Sequence, residues 1–347
     1  MLDKAVEERI ILSLNFQEGD RVPIWDYIDN YGIYKYFAGD EKDYAKGMVK
    51  VYHGLGIDLC RGFGSSYAPS DEGKADAHGV ISGSTRWQTR YPIQTLEDLK
   101  KYEQPRVTQP QIDGWVAHVK YMQELFAPYT MYVPGSGCGF HATYGLMGLE
   151  LFSIAIYYAR DDVERIMWAM NEDNVLLAKA AAEHKLCPIY FIGDDIAYKR
   201  ALMFPPDFLR ETFIECLRRT VEPVKNAGIK VIFHSDGYVM PVLDDMINAG
   251  IDGLNPIEPL AGMDIGYLKR RYEKNLVLVG NVDCSQVLPL GTREEVIEAT
   301  KACIKAASPG GGHFIGSSSE IVPATPVENI LAFYETAREY GRYPVSI

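Results

Sequence analysis

Eight short apolar runs, each ending in a polar or glycine-rich turn, recur along the chain. They are RVPIWDYI (21–28), GIDLC (56–60), TMYVPGSG (130–137), PIYFIGDD (188–195), KVIFHSDG (230–237), IDGLNPIEP (251–259), NLVLVGNVD (275–283) and HFIGSSSE (313–320). Their continuous apolar character suits strands buried on both faces of a parallel sheet. The segments between them carry helical periodicity and start signals. Thr292 and Glu295 form a capping box before REEVIEATKACIKAA. Thr325, Pro326 and Glu328 supply an N-cap, an N1 proline and an N3 acid for VENILAFYETAREY, which Gly341 closes. Asp161 and Asp162 open one further helix, and Pro206 and Asp207 open another that runs to residue 228.

Eight strands alternating with helices predict an α/β protein, a single (β/α)8 TIM barrel spanning 1–347. A doubly wound open sheet is the main competitor, but no strand leads into a Gly-rich dinucleotide loop. Residues 62–110 break the alternation with Gly/Ser-rich turns, a hairpin (78–93) and a short helix, LEDLKKYE. They predict an insertion after the second strand, lying over the barrel mouth.

Composition narrows the function classes. The chain has 47 acidic and 35 basic residues, a formal charge of −12. That surface repels a phosphate backbone, so no nucleic-acid partner is expected. The six cysteines are scattered without a C-x-x-C pair, which reads as reduced thiols of the cytoplasm. No apolar run approaches a membrane span, and the charged, amphipathic N-terminus does not read as a signal peptide.

In a barrel, chemistry collects where strands end. The fourth run ends in Asp194 and Asp195, and the fifth in His234, Ser235 and Asp236. The sixth carries Glu258, the seventh Asn281 and Asp283, and the eighth Ser317, Ser318, Ser319 and Glu320. Each also has a plain structural use. Asp194 or Asp195 can cap the helix that follows, and Asn281 and Asp283 can tie the turn after their strand. Glu258, between Pro256 and Pro259, has no obvious capping role. His234 and Asp236 alternate by two, so both side chains leave an extended segment on one side.

His234, Asp236 and Glu258 can hold a divalent metal with a position open for substrate. With Asp195 and Asp283, they can equally act as acids and bases around an organic ligand. The front half adds Trp25, Asp26, Tyr27 and Tyr31 after the first strand, and His141, Tyr144 and Met147 after the third. Aromatic residues there can line a substrate pocket or simply fill the core.

Longer patterns then carry a resemblance. The segment from His234, HSDG-x-V-x-P-V-L-D-D-M-I-x-A-G-I-D-G-L-N-P-I-E-P-L-A-G-M-D, resembles the uroporphyrinogen decarboxylase superfamily. So do GNVD (280–283), G-T-x-E-E-V from Gly291, P-x-T-P-x-E-N-I from Pro323, the closing E-Y-G-R-Y-P, and E-E-R-I-x-x-S-L…D-R-V-P-I near 7–24. The resemblance covers nearly the whole chain. It implies one of two chemistries: metal-free decarboxylation of uroporphyrinogen, or methyl transfer to or from a corrinoid carried on a separate protein.

Decarboxylases of the family carry an N-terminal arginine motif, R-Q-A-G-R-Y, that grips carboxylates. Here the region reads Trp25-Asp26-Tyr27-Ile28-Asp29-Asn30, and acids repel a polycarboxylate. The zinc methyltransferases of the family carry His-x-Cys on the fifth strand and a second Cys after the eighth. His234 matches, but Asp236 stands at the first cysteine position and Ser318 or Ser319, beside Glu320, at the second.

Oxygen-rich ligands suit polarising an ether or carboxyl oxygen better than activating a thiol. The resemblance therefore implies transfer of a methyl group from a methoxyaromatic or N-methyl donor to the Co(I) of a corrinoid carrier protein, with zinc as the candidate metal. Trp25, Asp26, Tyr27, His141, Asp194, Asn281, Ser319 and Glu320 are the expected substrate contacts. A homodimer fits barrels of this kind. The alternatives are a decarboxylase of a tetrapyrrole or small aromatic acid, and a non-catalytic corrinoid- or tetrapyrrole-binding protein.

Overall fold

The structure, a computed structural model, describes residues 1–64, 71, 73–75, 79–82 and 85–347. The chain divides into two compact units: Met1–Ala68, Val119–Val133 and Asp252–Ile347 form one, Pro69–His118 and Pro134–Ile251 the other.

In the first unit, short parallel segments lie side by side. Met131–Tyr132 pairs with Leu59–Cys60, and Trp25 bridges to Leu59. Ile24 bridges to Ile315, just past His313–Phe314, which pairs with Val277–Val279. Val277–Val279 pairs in turn with Gly253–Asn255. Here the expected first strand, 21–28, is reduced to isolated bridges. Pro23 has no N–H to give a ladder, and the Ile24 N–H goes to the Asp58 carboxylate at 2.7 Å.

The second unit holds the parallel trio Gly135–Ser136, Ile189–Gly193 and Lys230–His234. The expected strand 130–137 is thus two pieces, Met131–Tyr132 and Gly135–Ser136, interrupted at Pro134. Phe140, Phe152, Phe204, Phe208 and Phe213 pack mostly edge-to-face into an aromatic core. Within the insertion, Gly79–Ser82 pairs antiparallel with Thr85–Gln88, and Leu96–Lys101 is helical behind its N-cap Thr95. The turn of the hairpin (83–84), its first residue (78) and the Gly/Ser-rich stretch 65–70 lie outside the described residues.

The Thr292–Glu295 capping box is present as expected. Two other helices differ from expectation, one at its start and one within. Pro326 is the N-cap of Val327–Tyr340, so Thr325 sits one position outside and its amide bonds Val322 instead. The helix expected from Pro206 to 228 is two, Pro206–Glu211 and Phe213–Asn226. It breaks at Thr212, whose hydroxyl bonds back to the Phe208 carbonyl at 2.6 Å. No helix among the described residues is long and apolar enough to cross a membrane.

Candidate active site

Parallel pairing sets the site. Gly193 lies in register with His234, so the two strands deliver Asp194–Asp195 and Ser235–Asp236 side by side as they end. The Asp194 N–H donates to the His234 carbonyl at 3.1 Å, carrying the ladder one residue further. Beyond it the side chains tie the two turns together. Asp195 Oδ1 accepts the Asp236 N–H at 3.0 Å, and Ser235 Oγ accepts the Ile196 N–H at 3.1 Å. Gly237 then turns away with φ +82°, where a Cβ would stand 2.6 Å from the Tyr198 nitrogen. Only glycine fits that approach.

The neighbouring aspartates do different work. Asp194 is buried, and its carboxylate accepts the N–H groups of Cys138 and His141, the latter at 2.5 Å. Burial pushes its pKa up, against the pull of those donors. It anchors the start of the helix Phe140–Gly145, which precedes it in the chain, rather than capping the helix that follows. That helix presents His141 and Tyr144 one turn apart, their rings stacked at 4.7 Å and 17°.

Asp195 faces two imidazoles. Its Oδ2 lies 3.4 Å from His141 Nδ1 and its Oδ1 3.8 Å from His234 Nε2, while its carbonyl accepts the Tyr144 hydroxyl at 3.1 Å. Burial works to raise its pKa. The His141 contact, the His234 charge and the Asp236 N–H outweigh it, and the carboxyl falls to about 2. His141 moves the other way: burial lowers its pKa, but Asp195 and the nearby acids raise it overall. Asp236 Oδ1 also lies 3.8 Å from His234 Nε2.

Among the described residues, Asp195, His234 and Asp236 form the one group of His, Cys, Asp or Glu side chains able to share a metal ion, their donor atoms within 4.8 Å of one another. Two ligands on a tetrahedral zinc stand about 3.4 Å apart, given bonds of roughly 2.0–2.2 Å. Separations of 3.8 Å exceed a hydrogen bond and come close to that spacing. The set therefore fits a divalent cation with nitrogen and oxygen ligands. Asp195, not named as a ligand from sequence, supplies the third donor within this unit.

The remaining candidates belong to the other unit. Glu258 precedes the short turn Pro259–Ala261, and its carbonyl accepts the Ala261 and Met263 N–H groups. Trp25 is buried edge-on against Phe314. Asp26 is a strut: its buried carboxylate accepts the Ser317 N–H and hydroxyl at 2.8 and 2.6 Å and the Tyr334 hydroxyl at 2.8 Å. Burial raises its pKa despite these donors. Asn281 donates to the Ile257 carbonyl, and Asp283 Oδ1 accepts the N–H groups of Gln286 and Val287, tying the turn after its strand.

A second polar group gathers around Tyr27. The Arg61 guanidinium lies 4.7 Å over its ring and reaches the Ser319 carbonyl at 3.4 Å. Burial pushes the Tyr27 hydroxyl up to about 12; Arg61 opposes the shift, and Glu320 and Asp29 add to it. Arg61 is absent from the sequence-based candidates, although it directly follows the strand Leu59–Cys60, where a barrel places functional side chains.

A site at the ends of parallel strands defines an α/β enzyme-like architecture, and comparison with known proteins gives its family. The chain belongs to the uroporphyrinogen decarboxylase (URO-D) family, whose model matches residues 7–340. It is 22% identical over 270 residues to the methylcobamide:CoM methyltransferase MtbA of Methanosarcina acetivorans, covering 76% of this chain and 75% of that one. A uroporphyrinogen decarboxylase of Coxiella burnetii is 28% identical over only 103 residues, 28% of this chain and 26% of its own. A solved methyltransferase from Methanosarcina mazei superposes with a TM-score of 0.71 at 21% identity, covering 96% of this chain and 98% of that one. That likeness establishes the fold, the α/β barrel expected from the strand count.

Proposed function

We propose that this chain is a corrinoid-dependent methyltransferase, moving a methyl group from an O-methyl or N-methyl donor, methoxyaromatics foremost, to the Co(I) of a corrinoid on a partner protein. The observation that carries this reading is the Asp195–His234–Asp236 cluster at the strand ends. The methylcobamide methyltransferases that match three quarters of the chain support the corrinoid part.

The reaction breaks the bond between the methyl carbon and its heteroatom, and the electron pair leaves on that heteroatom. A phenolate or amine leaves poorly unless it is protonated or bound to a Lewis acid. A zinc ion held by His234, Asp236 and Asp195 would supply that Lewis acid. Two carboxylates and an imidazole make a hard donor set, which favours an oxygen ligand from substrate over a thiolate.

The chain's own groups complete the site. Asp195, whose carboxyl its neighbours hold below the usual range, meets His141 at 3.4 Å and faces His234 across 3.8 Å. His141, half exposed and held at Nδ1 by Asp195, can carry a proton for the leaving heteroatom on its other ring nitrogen. Its ring stacks on the buried Tyr144 ring, leaving the outer imidazole face for an aromatic donor.

The test is product analysis with a ¹³C-methoxy aromatic, the protein and stoichiometric cob(I)alamin under anaerobic conditions. The reading expects a demethylated phenol and a carbon–cobalt resonance. Release of CO2 from an aromatic acid without cobalt would replace it with decarboxylation.

A further inference from the structure

The helix Gly148–Tyr158, GLELFSIAIYY, carries a single charged residue, Glu150. Its inner face, Phe152, Ala155 and Ile156, is buried, with Phe152 packed edge-on against Phe140, Phe204 and Phe208. Helical spacing puts Leu149, Ile154, Tyr157 and Tyr158 on the opposite side, where they are 47%, 42%, 72% and 80% exposed. A helix that is apolar all round belongs inside a protein. A contiguous apolar face left open marks a place where another molecule packs.

Two hollows run beside the helix, each walled on its far side by the chain between 89 and 100. The first, about 790 Å³, lies between Leu149, Leu151 and Ile154 and the residues Arg90, Tyr91 and Ile93. The second, about 480 Å³, lies at the helix end, between Tyr157 and Tyr158 and the residues Leu96 and Lys100. Charge is balanced in both. Arg90 and Glu150 line the first hollow, and Lys100 and Asp161 the second. All four are exposed, and none has an ion pair among the described residues. The other charges of the second hollow are already matched: Glu97 by Lys101, Arg160 by Glu164 and Glu211, and Asp162 by Arg165.

From this we infer that the face is the two-fold interface of a homodimer, the helix of one copy lying antiparallel to that of the other and its tyrosines filling the other copy's first hollow. A two-fold axis sets each end of the helix against the opposite end of its mate. Glu150 then meets Lys100, and Arg90 meets Asp161, each pair occurring twice. The chain carries a formal charge of −12, so two copies repel, and a neutral apolar face is where they can meet. Exposed tyrosines suit such a contact, because each buries a large ring while its hydroxyl finds a polar partner. A partner bound by charge would find no net charge here to match. The face lies within one unit and stands apart from the methyl-transfer reading.

Sedimentation velocity of the purified protein across a dilution series at micromolar concentrations tests the proposal. The parent should sediment as a dimer that dissociates on dilution. Ile154→Asp combined with Tyr157→Asp, both at exposed positions, should be monomeric with an unchanged circular dichroism spectrum. Glu150→Lys should weaken the dimer about tenfold, because two symmetry-related pairs are reversed at once. Adding Lys100→Glu to Glu150→Lys should restore it, a rescue that needs the antiparallel arrangement and does not depend on the double aspartate variant folding. A monomeric parent, a dimer that survives the two aspartates, or a charge swap that fails to restore association overturns the proposal.

Discussion

Asp195 Oδ1 and His234 Nε2 face each other across 3.8 Å, beyond hydrogen-bond reach and near the separation of two ligands on one cation. The pair is held from behind. The parallel register of Gly193 with His234 fixes both backbones, and the Asp236 N–H holds the same Asp195 oxygen. A site braced this way can keep its geometry without support from a bound ion.

This bracing yields a prediction for metal affinity. In competition titrations, His234→Ala and Asp195→Asn should each weaken zinc binding about 100-fold or more, as expected when a ligand is lost. Glu258→Gln, the third ligand expected from the sequence, belongs in the same series. A loss in Glu258→Gln equal to that in Asp195→Asn would put Glu258 in the ligand set.

A pH effect on stability follows from His313, far from the cluster in sequence. Its ring is fully buried between Ser308 and the Gly280 carbonyl, and burial lowers its pKa to about 3. The unfolded chain protonates this histidine near pH 6.5, so it binds more protons than the folded state below that value. Stability is therefore fully present above pH 6.5 and lost as the pH falls toward 3. The loss from this group should reach on the order of 3 kcal/mol by pH 4. Urea unfolding of His313→Gln between pH 7 and pH 4 should show a flatter profile than the parent; an unchanged slope would refute the assignment.

The first unit rests on a buried ion network. Asp58 accepts Arg9 at 2.6 Å, Arg21 at 2.8 and 2.9 Å, and the Ile24 N–H at 2.7 Å. Asp58→Ala leaves two guanidinium groups without their shared partner, which costs about 3–5 kcal/mol. Urea midpoints measure this directly, and a loss below about 1 kcal/mol would show that solvent or another acid replaces Asp58.

Much of the fold was legible because strand ends and helix caps are local signals. The Thr292–Glu295 box and the alternation of His234 and Asp236 needed nothing beyond adjacent residues. What was not legible depends on distant partners. Asp26 reads as a substrate contact after its strand, yet Ser317 and Tyr334, 291 and 308 residues away, take up its carboxylate. Asp194 and Asp195 look equivalent in sequence. One anchors a helix more than fifty positions earlier, and only the register of two strands turns the other toward His234. Arg61 went unseen because a lone arginine after a short strand is ordinary until Tyr27 and Ser319 are placed against it.

Anaerobic ultraviolet–visible spectroscopy of cob(I)alamin with the protein and a panel of methoxyaromatics and methylated amines reads methyl transfer at the cobalt itself. The Co(I) spectrum should convert to that of methylcobalamin, dependent on the protein and on one donor class. His234→Ala, still folded by circular dichroism, should abolish the conversion. Conversion at near-parental rate in His234→Ala, or none with any donor when the corrinoid protein is also supplied, would contradict methyl transfer at this cluster.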